Sequence, residues 1–186
     1  MMARPAVFLD RDGTLNEDRG YVYQVDDFAW LPGAREAVAR LNAAGLFTVL
    51  VTNQAGVARG LYEEADIEQL HAWMQDDLAS VGAHLDALYY APYHVEGVVE
   101  RYAIMHPDRK PDTGMLERAI REHDLDPARS FMVGDKTTDL IPGRALGMTT
   151  ILVETGYGLR DRDTAPADYI VPGITEAAAL TLTRQA

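Results

Sequence analysis

The stretch Ala6-Val7-Phe8-Leu9-Asp10-Arg11-Asp12-Gly13-Thr14 decides the reading of the chain. Its four leading apolar residues read as a short buried strand. Two carboxylates then leave the strand end two residues apart, and Gly13 lets the chain turn. A bend at Asp10 would turn both carboxylates toward one cleft, where one can attack and the other can move a proton. That division of labour needs two carboxylates in different surroundings. Calcium loops and plain hairpins share such a string, so the weight falls on the downstream residues and their order.

Outward from that stretch, strand and helix patterns alternate. Residues 11–33 form a long connection. Ala37, Val38 and Leu41 mark a helix over 34–44, which Gly45 stops. A β-rich run covers 46–52 and ends in the turn Asn53-Gln54-Ala55-Gly56. Ile67, Leu70, Met74 and Leu78 stand at helical spacing and predict an amphipathic helix over 63–81. A third strand is expected at 85–90, a helix at 112–124, a fourth strand at 130–134, and a short helix at 137–146 broken or kinked by Pro142-Gly143. Strands at 149–153 and 169–171 and a helix near 173–184 complete the series. The aperiodic stretches 11–33 and 91–111 are long enough to be substrate loops, and 156–166 reads as a flexible surface loop. Strands alternating with helices imply an α/β fold, a mostly parallel sheet covered on both faces, with ligands at the carboxyl ends of its strands. With no repeat and no linker, residues 1–186 are expected to form one domain.

Composition bounds the function. Without cysteine there is no disulfide, no thiolate catalysis and no cysteine-based zinc site. A net charge of −12 argues against nucleic acid as the main partner, but not against a small anion, which responds to local charge in a cleft. No apolar run approaches the ~20 residues of a membrane span, and the first residues do not read as a signal peptide. A cytoplasmic protein without a membrane partner is the expectation. Of the 17 cationic side chains only Lys110 and Lys136 are lysines, and both fall inside polar strings next to predicted elements.

Four such strings could converge on one sheet edge: Asp10 and Asp12; Thr52-Asn53-Gln54; Arg109-Lys110-Pro111; and Gly134-Asp135-Lys136-Thr137-Thr138-Asp139. Together they hold a candidate nucleophile, a hydroxyl donor, a cation and a second acidic pair. Phosphoryl transfer asks for those parts, because its catalysis is mostly positioning and charge stabilisation.

In this order the strings resemble the four motifs of the haloacid dehalogenase superfamily of phosphohydrolases, over roughly residues 5–155. Gly20-Tyr21-Val22, Thr52 to Gly60, Arg109-Lys110-Pro111 and Val133 to Lys136 resemble the capless group of heptose bisphosphate and histidinol-phosphate phosphatases in particular. The resemblance implies a three-layer, Rossmann-like fold without a cap domain. It implies Asp10 as nucleophile, Asp12 as acid and base, and Thr52 and Lys110 as stabilisers of the transferring phosphoryl group. Mg²⁺ would be held by Asp10, Asp135 and the backbone carbonyl of Asp12, with Asp139 orienting Lys110 or a metal-bound water. Asp18, Arg19, Gly20, Tyr21, Asn53, Gln54, Ala55, Arg109 and Lys136 would contact the rest of a small phosphorylated sugar, and the protein would act as a monomer. The expected substrate is D-glycero-D-manno-heptose 1,7-bisphosphate, with histidinol phosphate or another small sugar phosphate as the alternative.

Many members of that group carry a zinc loop before the Arg-Lys pair. Its positions here hold Ala91, Tyr93, His106 and Asp108. All three thiolates are missing, so zinc is not expected, and packing by Tyr93, Val95, Tyr102 and Ile104 is expected to hold the loop instead. Two readings from other classes compete. A phospho-receiver domain needs an acceptor Asp on a middle strand, and no Asp ends the run 85–90. A non-catalytic binding protein would have no use for Asp12.

Overall fold

Six parallel strands form one sheet in the order β3-β2-β1-β4-β5-β6. They are β1 (Ala6–Leu9), β2 (Phe47–Asn53), β3 (Ala87–Ala91), β4 (Phe131–Gly134), β5 (Thr149–Val153) and β6 (Tyr169–Val171). The computed structural model describes residues 3–185. Its helices are α1 (Ala34–Ala43), α2 (Glu64–Ala79), α3 (Gly114–His123), α4 (Thr137–Ala145), α5 (Gly158–Asp161) and α6 (Ile174–Gln185).

The period-2 alternation of the strands sorts their side chains into two cores. Val7, Leu9, Leu50, Val133 and Ile151 pack with Val38 and Leu41 of α1, Leu70 and Met74 of α2 and Ala177 of α6. Ala6, Phe8, Val49, Val51, Met132 and Leu152 pack with Met115 and Leu116 of α3 and Leu140 of α4. Both faces of the sheet are therefore covered, which is why its central strands read as unbroken apolar runs. From β1 the chain runs outward to β2 and β3, then returns to β4 on the other side of β1. The segments after β1 and β4 diverge at that switch point and leave a crevice at the carboxyl ends of the strands. Asp10 and Asp135 each follow directly on one of those two strands.

Most predicted elements are present, with three differences. The third strand starts at Ala87 rather than residue 85 because the Asp86 carboxylate takes the Thr48 N–H at 2.8 Å, in place of a ladder bond. The helix over Thr137–Ala145 is not broken at Pro142. Pro142 withholds only its own donor, and Gly143 lets the helix lie directly on β4: a Cβ there would sit 2.5 Å from Met132 Cβ. Residues 156–166 are not simply a surface loop. They contain α5, and their first residues are packed into the crevice.

Gly143→Val is accordingly expected to cost about 1–3 kcal/mol by overpacking, read as a lower urea midpoint. An unchanged midpoint would show that α4 does not need this close approach.

Candidate active site

Asp10 lies just past β1 with little exposure, and its Oδ1 accepts a hydrogen bond from Lys110 Nζ at 2.7 Å. The same ammonium donates to Val51 O at 2.8 Å and pairs with Asp139 Oδ1 at 2.8 Å. An ammonium has three donors, and all three are used. Lys110 is fastened in turn by Asn53 at the end of β2: Lys110 N–H donates to Asn53 Oδ1 at 3.0 Å, and Asn53 Nδ2 returns a bond to Lys110 O at 2.9 Å. Asp139 sits in the first turn of α4, where its other oxygen accepts the Lys136 N–H at 3.0 Å.

Asp12 stands at the opening. Its carboxylate accepts from Arg11 Nη2 at 3.0 Å on each oxygen, from Asn16 Nδ2 at 3.0 Å and from Gln54 Nε2 at 3.0 Å. Arg11 is wholly buried, with a further bond to Val22 O at 2.5 Å and with Nη1 3.4 Å from His71 Nε2. Burial and the neighbouring guanidinium push His71 down to about 3, so the imidazole is neutral and accepts the bond. Gln54 Nε2 also donates to Thr52 Oγ1 at 2.9 Å, which leaves the Thr52 hydroxyl proton for a ligand, while Gln54 Oε1 accepts from Tyr62 at 2.7 Å.

Asp10, Asp12, Thr52, Gln54, Tyr62 and Asp139 border a cleft of ≈ 370 Å³, the scale of a small-molecule site. Asp18, Gly20, Tyr21, Asn53, Ala55, Arg109 and Lys136 line it too, along with Asp10, Asp12, Thr52 and Gln54. Two expected contacts are not at its wall. Arg19 points outward and pairs with Glu17 at 2.7 Å. Lys110, only 2% exposed, lies behind Asp10 with its donors used, so in this geometry its charge acts through Asp10 and Asp139. Arg109 donates to Tyr93 O at 3.1 Å and has no carboxylate partner among the described residues, whereas Lys136 pairs with Asp18 at 3.1 Å.

Asp10, Asp135 and Asp139 each offer one oxygen, and these atoms lie within 4.8 Å of one another. Asp135 is fully buried, and its Oδ1 has no hydrogen-bond partner. Three crowded carboxylates, two of them sharing the Lys110 ammonium, suit a hard divalent cation such as Mg²⁺, which prefers oxygen donors. Their own ionisation shows the crowding. Burial and the Asp139 charge push Asp10 up to about 6. Burial, then Asp10 and Asp139, push Asp135 up to about 8. Lys110 is held above its ordinary value despite burial, because Asp10 and Asp139 favour its charge.

Sequence reasoning missed three contributors. Arg11 forks onto Asp12 from inside the protein; the one hint was a cation between two aspartates. Tyr62 supports Gln54 and lines the cleft. Tyr157 lines it from the segment expected to be a surface loop, and its N–H donates to Asp135 Oδ2 at 2.8 Å. The loop 91–108 also packs differently from the expectation. Val95 and Ile104 are exposed. The loop is held by Tyr93 stacked on His106 with centroids 3.8 Å apart, by Tyr102 donating to Glu64, and by Arg118 paired with Asp108 at 2.9 Å.

A buried carboxylate held by an ammonium, a second carboxylate at the cleft mouth and an acidic cluster suited to a cation, all at one switch point, fit a phosphoryl-transfer enzyme. Comparison with known proteins agrees. Residues 108–177 match a HAD-hydrolase-like family model. The D-glycero-β-D-manno-heptose-1,7-bisphosphate 7-phosphatase of Pasteurella multocida is 45% identical over 93% of this chain and 94% of its own length. The D-glycero-D-manno-heptose-1,7-bisphosphate 7-phosphatase of Thermosynechococcus vestitus is 50% identical over 86% of this chain and 83% of its own. The solved D,D-heptose 1,7-bisphosphate phosphatase of B. bronchiseptica, complexed with magnesium and phosphate, superposes with a TM-score of 0.86 at 32% identity, covering 97% of this chain and 98% of that one. The chain belongs to the haloacid dehalogenase superfamily and, within it, to the family of the heptose-1,7-bisphosphate 7-phosphatases.

The raised carboxylates set a pH dependence. From an ordinary value of 3.8 they rise to about 6 and about 8, so between about pH 4 and 8 the folded chain binds more protons than the unfolded one. The stability of metal-free protein therefore falls as pH rises through that window. Binding of Mg²⁺ displaces those protons, so added Mg²⁺ is expected to raise the Tm more at pH 8 than at pH 6 in a thermal melt. An equal shift at both would contradict the assignment.

Proposed function

We propose that this phosphatase removes the 7-phosphate of D-glycero-D-manno-heptose 1,7-bisphosphate through a phosphoenzyme at Asp10. The residues act as one capless domain and as a monomer in the cytoplasm; among the described residues no helix is long and apolar enough to cross a membrane. The observation that carries the substrate choice is the cationic wall. Arg109, without a carboxylate partner, and Lys136 border the same cleft as Asp10 and Asp12. A bisphosphate brings one phosphoryl group to the aspartates and a second to those cations, where the Arg109 fork suits phosphate oxygens. Histidinol phosphate brings an ammonium group instead, which would leave Arg109 without an anionic partner.

Asp10 Oδ1 is held by Lys110, and the Asp10 carboxylate attacks phosphorus in line as the bond to the sugar oxygen breaks. Asp12 gives that oxygen its proton, then takes one from the water that cleaves the aspartyl-phosphate. Arg11, Asn16 and Gln54 fix where Asp12 stands for both transfers. The Thr52 hydroxyl donates to a phosphoryl oxygen. Asp10, Asp135 and the Asp12 carbonyl would hold Mg²⁺, which would supply charge that offsets the carboxylates against the incoming phosphoryl group.

Asp10→Asn is expected to abolish turnover, and Asp12→Asn to lower kcat by about 10²–10⁴-fold. A panel of both heptose bisphosphate anomers and histidinol phosphate is expected to favour a heptose bisphosphate in kcat/KM. Undiminished turnover in either variant would overturn the mechanism, and a preference for histidinol phosphate would overturn the substrate.

A further inference from the structure

The segment from Thr155 to Asp161, just past β5, touches the acidic centre at three places. Thr155 Oγ1 donates to the carbonyl of Gly13 at 2.7 Å. Gly156, at φ +56°, packs so closely that a Cβ there would lie 2.7 Å from Gly13 Cα and collide with Asp135 Oδ2. The Tyr157 N–H then donates to that same Asp135 oxygen at 2.8 Å. Further on, the Asp161 carboxylate accepts the Thr137 N–H, the first of α4, at 2.7 Å. One short stretch thus ties together the segment after β1, the carboxylate after β4 and the start of the helix that carries Asp139.

The division at Asp135 is the informative detail. The segment occupies one oxygen and leaves the other, Oδ1, buried without a partner. A buried carboxylate oxygen left without a hydrogen bond is costly, and here it is on a residue that clusters with Asp10 and Asp139. Gly13, at φ +89°, has no room for a Cβ on its side of the same carboxylate. Between Gly13, Gly156 and the Tyr157 amide, Asp135 is left one orientation.

We infer that Thr155-Gly156-Tyr157 is a positioning strap for the cation site: it locks Asp135 with one oxygen free and fixes the Asp12–Gly13 backbone beside it. The strap touches neither substrate phosphorus nor the attacking oxygen. It acts on metal affinity through main-chain and hydroxyl contacts, as outer-shell partners of metal ligands do. The inference rests on the proposed Mg²⁺ assignment and adds to it the residues that hold the ligand still. The Tyr157 ring has a separate place, 4.4 Å from Lys136 Nζ at the cleft wall.

The test is Mg²⁺ affinity by isothermal titration calorimetry on metal-stripped protein, with a thermal melt of each variant as a folding control. Thr155→Val removes the donor while keeping the shape, and is expected to weaken Mg²⁺ by about 10–100-fold. Thr155→Ser keeps the hydroxyl and is expected to restore affinity to within a few-fold of the wild type. Tyr157→Phe keeps the amide and is expected to leave Mg²⁺ affinity unchanged. A wild-type Mg²⁺ Kd in Thr155→Val, with or without a lower Tm, overturns the strap while leaving the metal assignment standing. Equal weakening in Thr155→Val and Thr155→Ser overturns it as well, since the hydroxyl would then not be the cause. Wild-type protein that binds no Mg²⁺ overturns both the strap and the assignment beneath it.

Discussion

The site depends on one buried ammonium. Lys110 spends all three of its donors between Asp10, Asp139 and Val51 O, at the point where the sheet changes direction. Taking those charges out of water costs several kcal/mol per ion unless each is closely paired. The pairing here is incomplete: Lys110 pairs with Asp10 and Asp139 only, and Asp135 keeps an unpartnered oxygen. Burial first, and the remaining negative charge after it, raise the proton affinity of Asp10 and Asp135, and that same charge suits the pocket to a divalent cation and then a phosphoryl group.

Around that centre the fold supplies rigid supports from four directions. Asn53, at the end of β2, clasps the Lys110 backbone. The first turn of α4 presents Asp139, capped at its start by Asp161. Arg11 fixes Asp12 from inside while a neutral His71 accepts from the other arm of its fork. The strap after β5 closes the last side. Each support ends on a strand or helix terminus, so the core packing that fixes the sheet also fixes the distances in the site. The less regular walls of the cleft are the segment 18–21 and the tyrosine-packed loop that leads into Arg109.

Much of this was legible in the sequence for physical reasons. Strands of a parallel sheet covered on both faces are short apolar runs, and Ala6–Leu9, Phe47–Asn53 and Phe131–Gly134 read as such. Charged groups directly after those runs stand out because they interrupt an apolar pattern, which exposed Asp10, Asp12 and Asp135; the resemblance left Asp139 to orient either Lys110 or a metal-bound water, and the structure pairs it with Lys110. What was not legible acts through backbone or through fit. Tyr157 contributes an amide that any residue but proline carries, and Gly156 contributes the absence of a side chain; the available signal was a Thr-Gly-Tyr-Gly string after a strand. Pro142 misled because its local cost is visible in sequence, while the packing of Gly143 on Met132 that holds the helix is tertiary. Val95 and Ile104 misled in the opposite sense: apolar residues in an irregular loop need not be inside, and stacked rings hold this one.

The central claim is that Asp10, poised by Lys110, takes the phosphoryl group onto its own carboxylate. Acid quench of the enzyme during turnover, followed by borohydride reduction and peptide mass spectrometry, tests this directly. An aspartyl-phosphate is reduced to homoserine, so the account predicts homoserine at position 10 in samples quenched with substrate and unmodified aspartate there without it. Turnover with unmodified Asp10 under the same quench, or homoserine at another aspartate, would contradict it.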